Sequence, residues 1–181
     1  MEFSGKKVTV VGTGISGIGA VGLLNAVGAE VVLYDGNEKL KIEDIEKKLG
    51  TYKAEIVLGE LTKELTDSSD LLVISPGVPI DSPVVKAFEA AGVPVWGEVE
   101  LAYAFDKGKV LAITGTNGKT TTTALVGQIV GAYHKDTFVV GNIGNPYTTE
   151  VLKSNKDSYT VAEISSFQLE TVHEFHPLVS A

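Results

Sequence analysis

Lys7-Val8-Thr9-Val10-Val11-Gly12-Thr13-Gly14-Ile15-Ser16-Gly17 is the stretch on which the fold turns. A β-branched run ends at Gly12, and from Ile15 to Val27 apolar residues recur at helical spacing until Gly28. That pattern is strand, tight turn, helix. Asp35 closes the next apolar run, Val31 to Tyr34, 18 residues after Gly17. Glycines in such a turn let the backbone close on a diphosphate at a helix N-terminus, and an acid at the end of the second strand takes a ribose hydroxyl. The plainer alternative is that the glycines serve strand-helix packing alone.

The same rhythm continues along the chain. Leu40, Ile42, Ile45 and Leu49 predict a helix in the charged stretch Leu40 to Leu49, and Glu55 to Leu58 predicts a short strand. Leu71 to Ile74 reads as a buried strand stopped by Ser75, Pro76 and Gly77, which force the backbone out of a ladder. Val84 to Ala91 predicts a helix and Val93 to Trp96 a fourth or fifth parallel strand. These elements make a doubly wound unit. A connecting helix, Glu98 to Phe105, leads to a second sheet: strand Val110 to Ile113, helix Lys119 to Ala132, strand Thr137 to Val140, helix Tyr147 to Leu152 and strand Tyr159 to Ala162. The apolar run from Pro177 to Ala181 reads as the opening of another strand. The fold expected is α/β, with a Rossmann-like parallel-sheet domain over residues 1–97 followed, over 98–181, by part of a P-loop ATPase-type α/β domain inside which the chain stops.

Composition narrows the function. The 181 residues carry 15 Lys+Arg against 23 Asp+Glu, a formal charge of −8. That argues against a nucleic-acid or anionic-membrane surface, so an anionic ligand must be caught by backbone amides and a few placed cations. No apolar run reaches membrane-spanning length, and Met1 to Lys7 lacks a signal-peptide layout. With no cysteine there is no disulfide, thiolate metal site or cysteine nucleophile, and a reducing compartment is expected.

Thr114-Gly115-Thr116-Asn117-Gly118-Lys119-Thr120-Thr121 lies between an apolar strand and a helix. Backbone N–H groups of such a loop face phosphate oxygens, the lysine bridges the outer phosphates and the Thr120 hydroxyl can ligate Mg²⁺. Ile113 stands where the usual pattern has its first glycine. Glu163 ends the Tyr159 strand, where a second Mg²⁺ ligand or a simple helix N-terminal charge belongs. Ser165, Ser166 and Gln168 either cap the next helix or contact a ligand, and Gly141-Asn142-Ile143-Gly144 reads as an amide at a strand end or as an ordinary turn. His173 and His176 flank Glu174 but bring too few ligands for a metal and read as a helix face.

Taken together, V-V-G-T-G-I-S-G, S-P-G-V at Ser75 to Val78, I-T-G-T-N-G-K-T-T, G-N-I-G at Gly141 to Gly144 and A-E-I-S-S-F-Q-L-E at Ala162 to Glu170 resemble the muramyl ligase family, in order, over nearly the whole chain. The S-S-F-Q-L-E stretch points to the branch that adds D-glutamate to UDP-N-acetylmuramoyl-L-alanine. The resemblance implies a cytoplasmic, monomeric enzyme of peptidoglycan synthesis that uses ATP and Mg²⁺ to form an amide through an acyl phosphate. It implies that Ile15, Ser16, Asp35, Ser75 and Gly77 contact the UDP-sugar. Gly115, Thr116, Asn117, Gly118, Lys119, Thr120 and Thr121 would hold ATP, and Thr120 and Glu163 would hold Mg²⁺. Asn142, Ser165 and Gln168 would approach the UDP-muramoyl substrate, with Lys119, Glu163 and Asn142 as the catalytic set. The family's further motifs would lie beyond Ala181, so the chain is expected to be inactive alone. An NAD-binding dehydrogenase-type domain, which leaves the Lys119 loop unexplained, and a non-catalytic nucleotide sensor are the alternatives.

Overall fold

The computed structural model describes residues 3–181; the expectation that the chain starts without a signal-peptide layout falls partly on Met1 and Glu2, which lie outside the described residues. The chain divides into two compact units, residues 1–98 and 99–181.

In the first unit β1 (Lys7–Val11) feeds α1 (Ile15–Ala26), then β2 (Glu30–Asp35), α2 (Ile42–Leu49), β3 (Glu55–Leu58), α3 (Lys63–Ser68), β4 (Leu71–Ile74), α4 (Pro83–Ala90) and β5 (Val95–Gly97). All pairings are parallel, in the order β3-β2-β1-β4-β5, so the doubly wound expectation holds. The strand order reverses between β1 and β4, and loops at the carboxyl ends of these strands open into the crevice where ligands bind in such sheets. Val8, Val10, Leu33 and Leu72 are fully buried, as strands covered on both faces require. Tyr34, Ile74, Val85 and Phe88 join the core on one side.

The boundaries correct several expectations. The second helix begins at Ile42 rather than Leu40, because Lys41 is still extended. Acids in its first turn and Lys47 and Lys48 in its last complement the helix dipole. The fourth helix begins at Pro83, whose missing N–H costs nothing in the first turn. Val93 and Pro94 precede rather than start β5, and the Pro94 carbonyl accepts from Leu72 N.

In the second unit α5 (Glu98–Tyr103), which starts at the boundary, is followed by β6 (Lys109–Ile113), α6 (Lys119–Tyr133), β7 (Thr137–Gly141), α7 (Tyr147–Glu150), a 3-10 turn (Val151–Lys153), β8 (Tyr159–Glu163), α8 (Ser166–Leu169) and β9 (Val179–Ser180). The sheet is parallel, in the order β7-β8-β6-β9. The single helix expected over Tyr147 to Leu152 is thus a short α-helix running into a 3-10 turn. Gly127 of α6 lies against Val139, so α6 covers the face that presents Val139, Val161, Leu111 and Val179 in register. Val161 on that face is fully buried, whereas Val179 is 54% exposed; the helix shields the sheet at β8 and leaves it open at β9. Among the described residues no helix is long and apolar enough to cross a membrane.

Candidate functional site

The first unit gathers its singled-out residues at the switch point. Gly14 is the extended residue before α1, with no side-chain cap, so the first amides of this helix point outward at Ile15 and Ser16. Ile15 is 79% exposed. Gly17 is fixed by packing: a Cβ there would overlap the Gly12 carbonyl oxygen. The packing role of the glycines is therefore real for Gly17, whereas Gly14 has open space around it. Asp35 is engaged on both oxygens. Its Oδ2 accepts from Thr13 N at 3.3 Å and Thr13 Oγ1 at 3.0 Å, and its Oδ1 accepts from Asn37 N at 3.1 Å. Next to it, burial and then the Asp35 charge push the Tyr34 phenol above its ordinary value; that hydroxyl donates to Gly59 O at 2.7 Å. Ser75 N donates to Val11 O, tying the β4 loop to β1. The Ser75 hydroxyl faces Gly12 and Gly17 and is buried without a hydrogen-bond partner. Gly77 is exposed and unconfined.

One residue at this turn escaped the sequence reading. Lys48, near the end of α2, places its ammonium 3.4 Å from the Thr13 carbonyl oxygen. A charge run on a solvated helix gives no sign of such a reach.

The second unit gathers its own set at the carboxyl edge of β6, β7 and β8. The loop Thr114 to Gly118 is exposed, and α6 starts at Lys119 with no side-chain cap on its first amides. Lys119 Nζ donates to Gly115 O at 2.7 Å, folding the cation over its own loop. Glu163 pairs in register with Ile113, the last residue of β6, and is 1% exposed. Its Oε1 accepts from Asn142 Nδ2 at 3.0 Å, and the Asn142 amide N–H donates to the Glu163 carbonyl at 2.9 Å. Gly141 permits this approach: its φ is +101° and a Cβ would overlap the Glu163 carbonyl oxygen. The Gly141 to Gly144 turn therefore places Asn142 on Glu163. Glu163 Oε2 is buried with no partner. A buried carboxylate oxygen left bare costs far more than a bare hydroxyl unless a cation or donor meets it, which suits Glu163 to a metal ligand.

Ser165 and Gln168 form a capping box at α8: Ser165 Oγ accepts from Gln168 N at 3.3 Å and Gln168 Oε1 accepts from Ser165 N at 2.9 Å. The hydroxyl proton and the Gln168 amide donors are what each retains for a ligand. The helix face expected at His173 and His176 is corrected: α8 ends at Leu169 and residues 173–176 are irregular. Their backbone explains why. The N–H groups of His173, Glu174 and Phe175 donate to the carboxylate of Glu100 at 2.9, 2.8 and 3.1 Å. Glu100, 1% exposed on α5, was not singled out in the sequence. Among the described residues no group of three or more His, Asp or Glu is assembled to hold a metal.

A doubly wound sheet with a glycine turn at its switch point, and a second parallel sheet with a glycine-lysine loop beside a buried strand-end carboxylate, define an α/β protein of two parallel-sheet units. Comparison with known proteins carries this further: the family "Mur ligase MurD-like, N-terminal domain" matches residues 6–97 and "Mur ligase middle domain" matches residues 113–180. The chain belongs to the Mur ligase family. It is 71% identical over 181 residues to a protein of Lachnospira eligens and 58% identical over 182 to one of Lachnoclostridium phytofermentans, both named "UDP-N-acetylmuramoylalanine--D-glutamate ligase". In each case the whole chain is covered, but only 40% of the relative. In fold it is similar to the solved UDP-N-acetylmuramate:L-alanyl-gamma-D-glutamyl-meso-diaminopimelate ligase of Neisseria meningitides, with a TM-score of 0.57 at 18% identity over 98% of this chain and 60% of that one.

Proposed function

We propose that the chain carries the nucleotide-substrate module and the ATP loop of a ligase that joins D-glutamate to UDP-N-acetylmuramoyl-L-alanine. The observation that carries the reading is Glu163: a carboxylate buried at the end of β8, level with the start of the Lys119 loop, with one oxygen fixed by Asn142 and the other bare. The relatives' printed name supplies the acceptor and the incoming amino acid.

In this reading the first unit, through Ile15, Ser16, Asp35, Ser75 and Gly77, binds the UDP part. The second unit binds ATP. The amides of Gly115 to Thr121 take phosphate oxygens, and Lys119 exchanges the Gly115 carbonyl for the outer phosphates. Thr120 and Glu163 would hold Mg²⁺, which when bound neutralises charge on the transferring phosphoryl group. Asn142 keeps the Glu163 carboxylate in one orientation. The substrate's alanine carboxylate oxygen would bond to the γ-phosphorus of ATP as the β–γ P–O bond breaks, giving an acyl phosphate and ADP, and Lys119 would stabilise the developing charge. The D-glutamate amine then displaces phosphate, with Ser165 and Gln168 near the muramoyl part.

Because the chain spans 40% of the relatives' length, binding without turnover is the expected behaviour of the 181 residues. The test is calorimetric titration with UDP-N-acetylmuramoyl-L-alanine and, separately, NADH. Saturable binding of the first and none of the second supports the reading; the reverse makes the first unit an NAD domain and overturns it.

A further inference from the structure

We infer that Lys48 is the cation that meets the diphosphate of the nucleotide bound at the first unit's glycine turn. This rests on the UDP reading of that turn.

A lysine in the last turn of an exposed helix is ordinary, and its neighbour Lys47 behaves so, pairing at 3.3 Å with Asp44 on the same helix. Lys48 does not. It reaches from α2 to Thr13, 35 residues earlier in the chain, and places its ammonium at the carbonyl between Gly12 and Gly14. Thr13 is thus held from both sides, its N–H and hydroxyl by the Asp35 carboxylate and its carbonyl by Lys48.

Electrostatics gives this arrangement a purpose. The chain carries a net charge of −8, and the acid nearest the turn, Asp35, braces Thr13 directly. A diphosphate arriving at the amides of Ile15 and Ser16 would meet that carboxylate at short range, and the partial positive charge of a helix N-terminus is no more than about half a unit. Lys48 supplies a full unit on the same turn. Its side chain has no acidic partner within ion-pairing distance among the described residues, so its charge is available to a ligand. A charge-assisted bond from a lysine to a phosphate oxygen is stronger than its present bond to a neutral carbonyl, so the ammonium would transfer from Thr13 to the ligand.

The test uses the 181-residue chain and UDP, UMP and uridine, with affinities read by ligand-observed NMR and calorimetry at two salt concentrations. Lys48→Gln is expected to weaken UDP roughly tenfold, to leave uridine within about twofold, and to flatten the salt dependence of UDP binding. Lys48→Arg, which keeps the charge, is expected to retain most of the UDP affinity. Equal losses for UDP and uridine would mean that Lys48 only holds the Thr13 carbonyl, and would overturn the inference, as would an unchanged UDP affinity. If the unaltered chain binds neither UDP nor uridine, it is the nucleotide reading of the turn that fails, and the inference falls with it.

Discussion

The two glycine turns leave different groups unsatisfied. At the first turn the charge is engaged: Asp35 takes two donors from Thr13 and one from Asn37, and the Ser75 hydroxyl that faces the turn is a neutral buried group without a partner. In the second unit Asn142 satisfies half of the Glu163 carboxylate, and the other half is bare. A bare hydroxyl costs about 1–3 kcal/mol, and a charged oxygen more. The first turn therefore has its charge satisfied within the chain, while the second leaves a charged oxygen for which the chain supplies no donor among the described residues.

The largest effect is expected for Gly17→Ala. The new methyl must displace the Gly12 carbonyl, so the first unit should lose about 3 kcal/mol in urea denaturation, and UDP binding should vanish with it. Glu163→Gln keeps the Asn142 contact and removes the charge. Mg²⁺-dependent ATP binding by the second unit should weaken roughly a hundredfold while its thermal midpoint stays level or rises; a falling midpoint with intact ATP binding would make Glu163 structural. Asp35→Ala is expected to do the opposite in kind. It strips acceptors from Thr13 and Asn37 and should cost about 2 kcal/mol of stability, whatever it does to ligand affinity.

The smallest effect concerns pH. Tyr34 has its ionisation raised by burial and by Asp35, so the folded state holds the phenol proton longer than the unfolded chain. The resulting stability is whole below the ordinary tyrosine value of about 10 and is lost as pH rises from there through the folded value. A melting curve series from pH 8 to above 10 should therefore decline at its upper end. Tyr34→Phe should remove that decline and cost about 1 kcal/mol at neutral pH through the lost bond to Gly59.

Much of this was legible in the sequence, because strands buried on both faces write apolar runs and glycines mark the turns between them. The Lys7 and Val110 strands, the turn after each, and Glu163 at a strand end follow from that grammar. What escaped had weaker local signals. Helix α3 buries only Leu65 and Thr66, too few for a period to show, although Thr62 accepts from Leu65 N as an N-cap and could have announced it. Lys48 and Glu100 are charged residues on helices, where the spacing suggests a solvated face; their partners lie 35 and 73–75 residues away and no local pattern encodes such a pairing. For Ser165 and Gln168 the sequence left capping and ligand contact open, and the capping box they form is a local motif that spacing alone could have favoured.

The Glu100 clasp has a consequence for how the protein is made. Its carboxylate must wait for His173 to Phe175 before its three amide partners exist, a separation of at least 73 residues. At a ribosomal rate of 5–20 residues per second that interval lasts roughly 4–15 seconds. During it α5 has emerged while its acid has only water to bind. Once the segment arrives, a single side chain fixes three consecutive peptide units, and the strand that follows is delivered to the edge of β6. β9 thus joins β6 only once the Glu100 carboxylate has left solvent, and a nascent chain stalled before His173 would present β6 with the β9 flank unpaired.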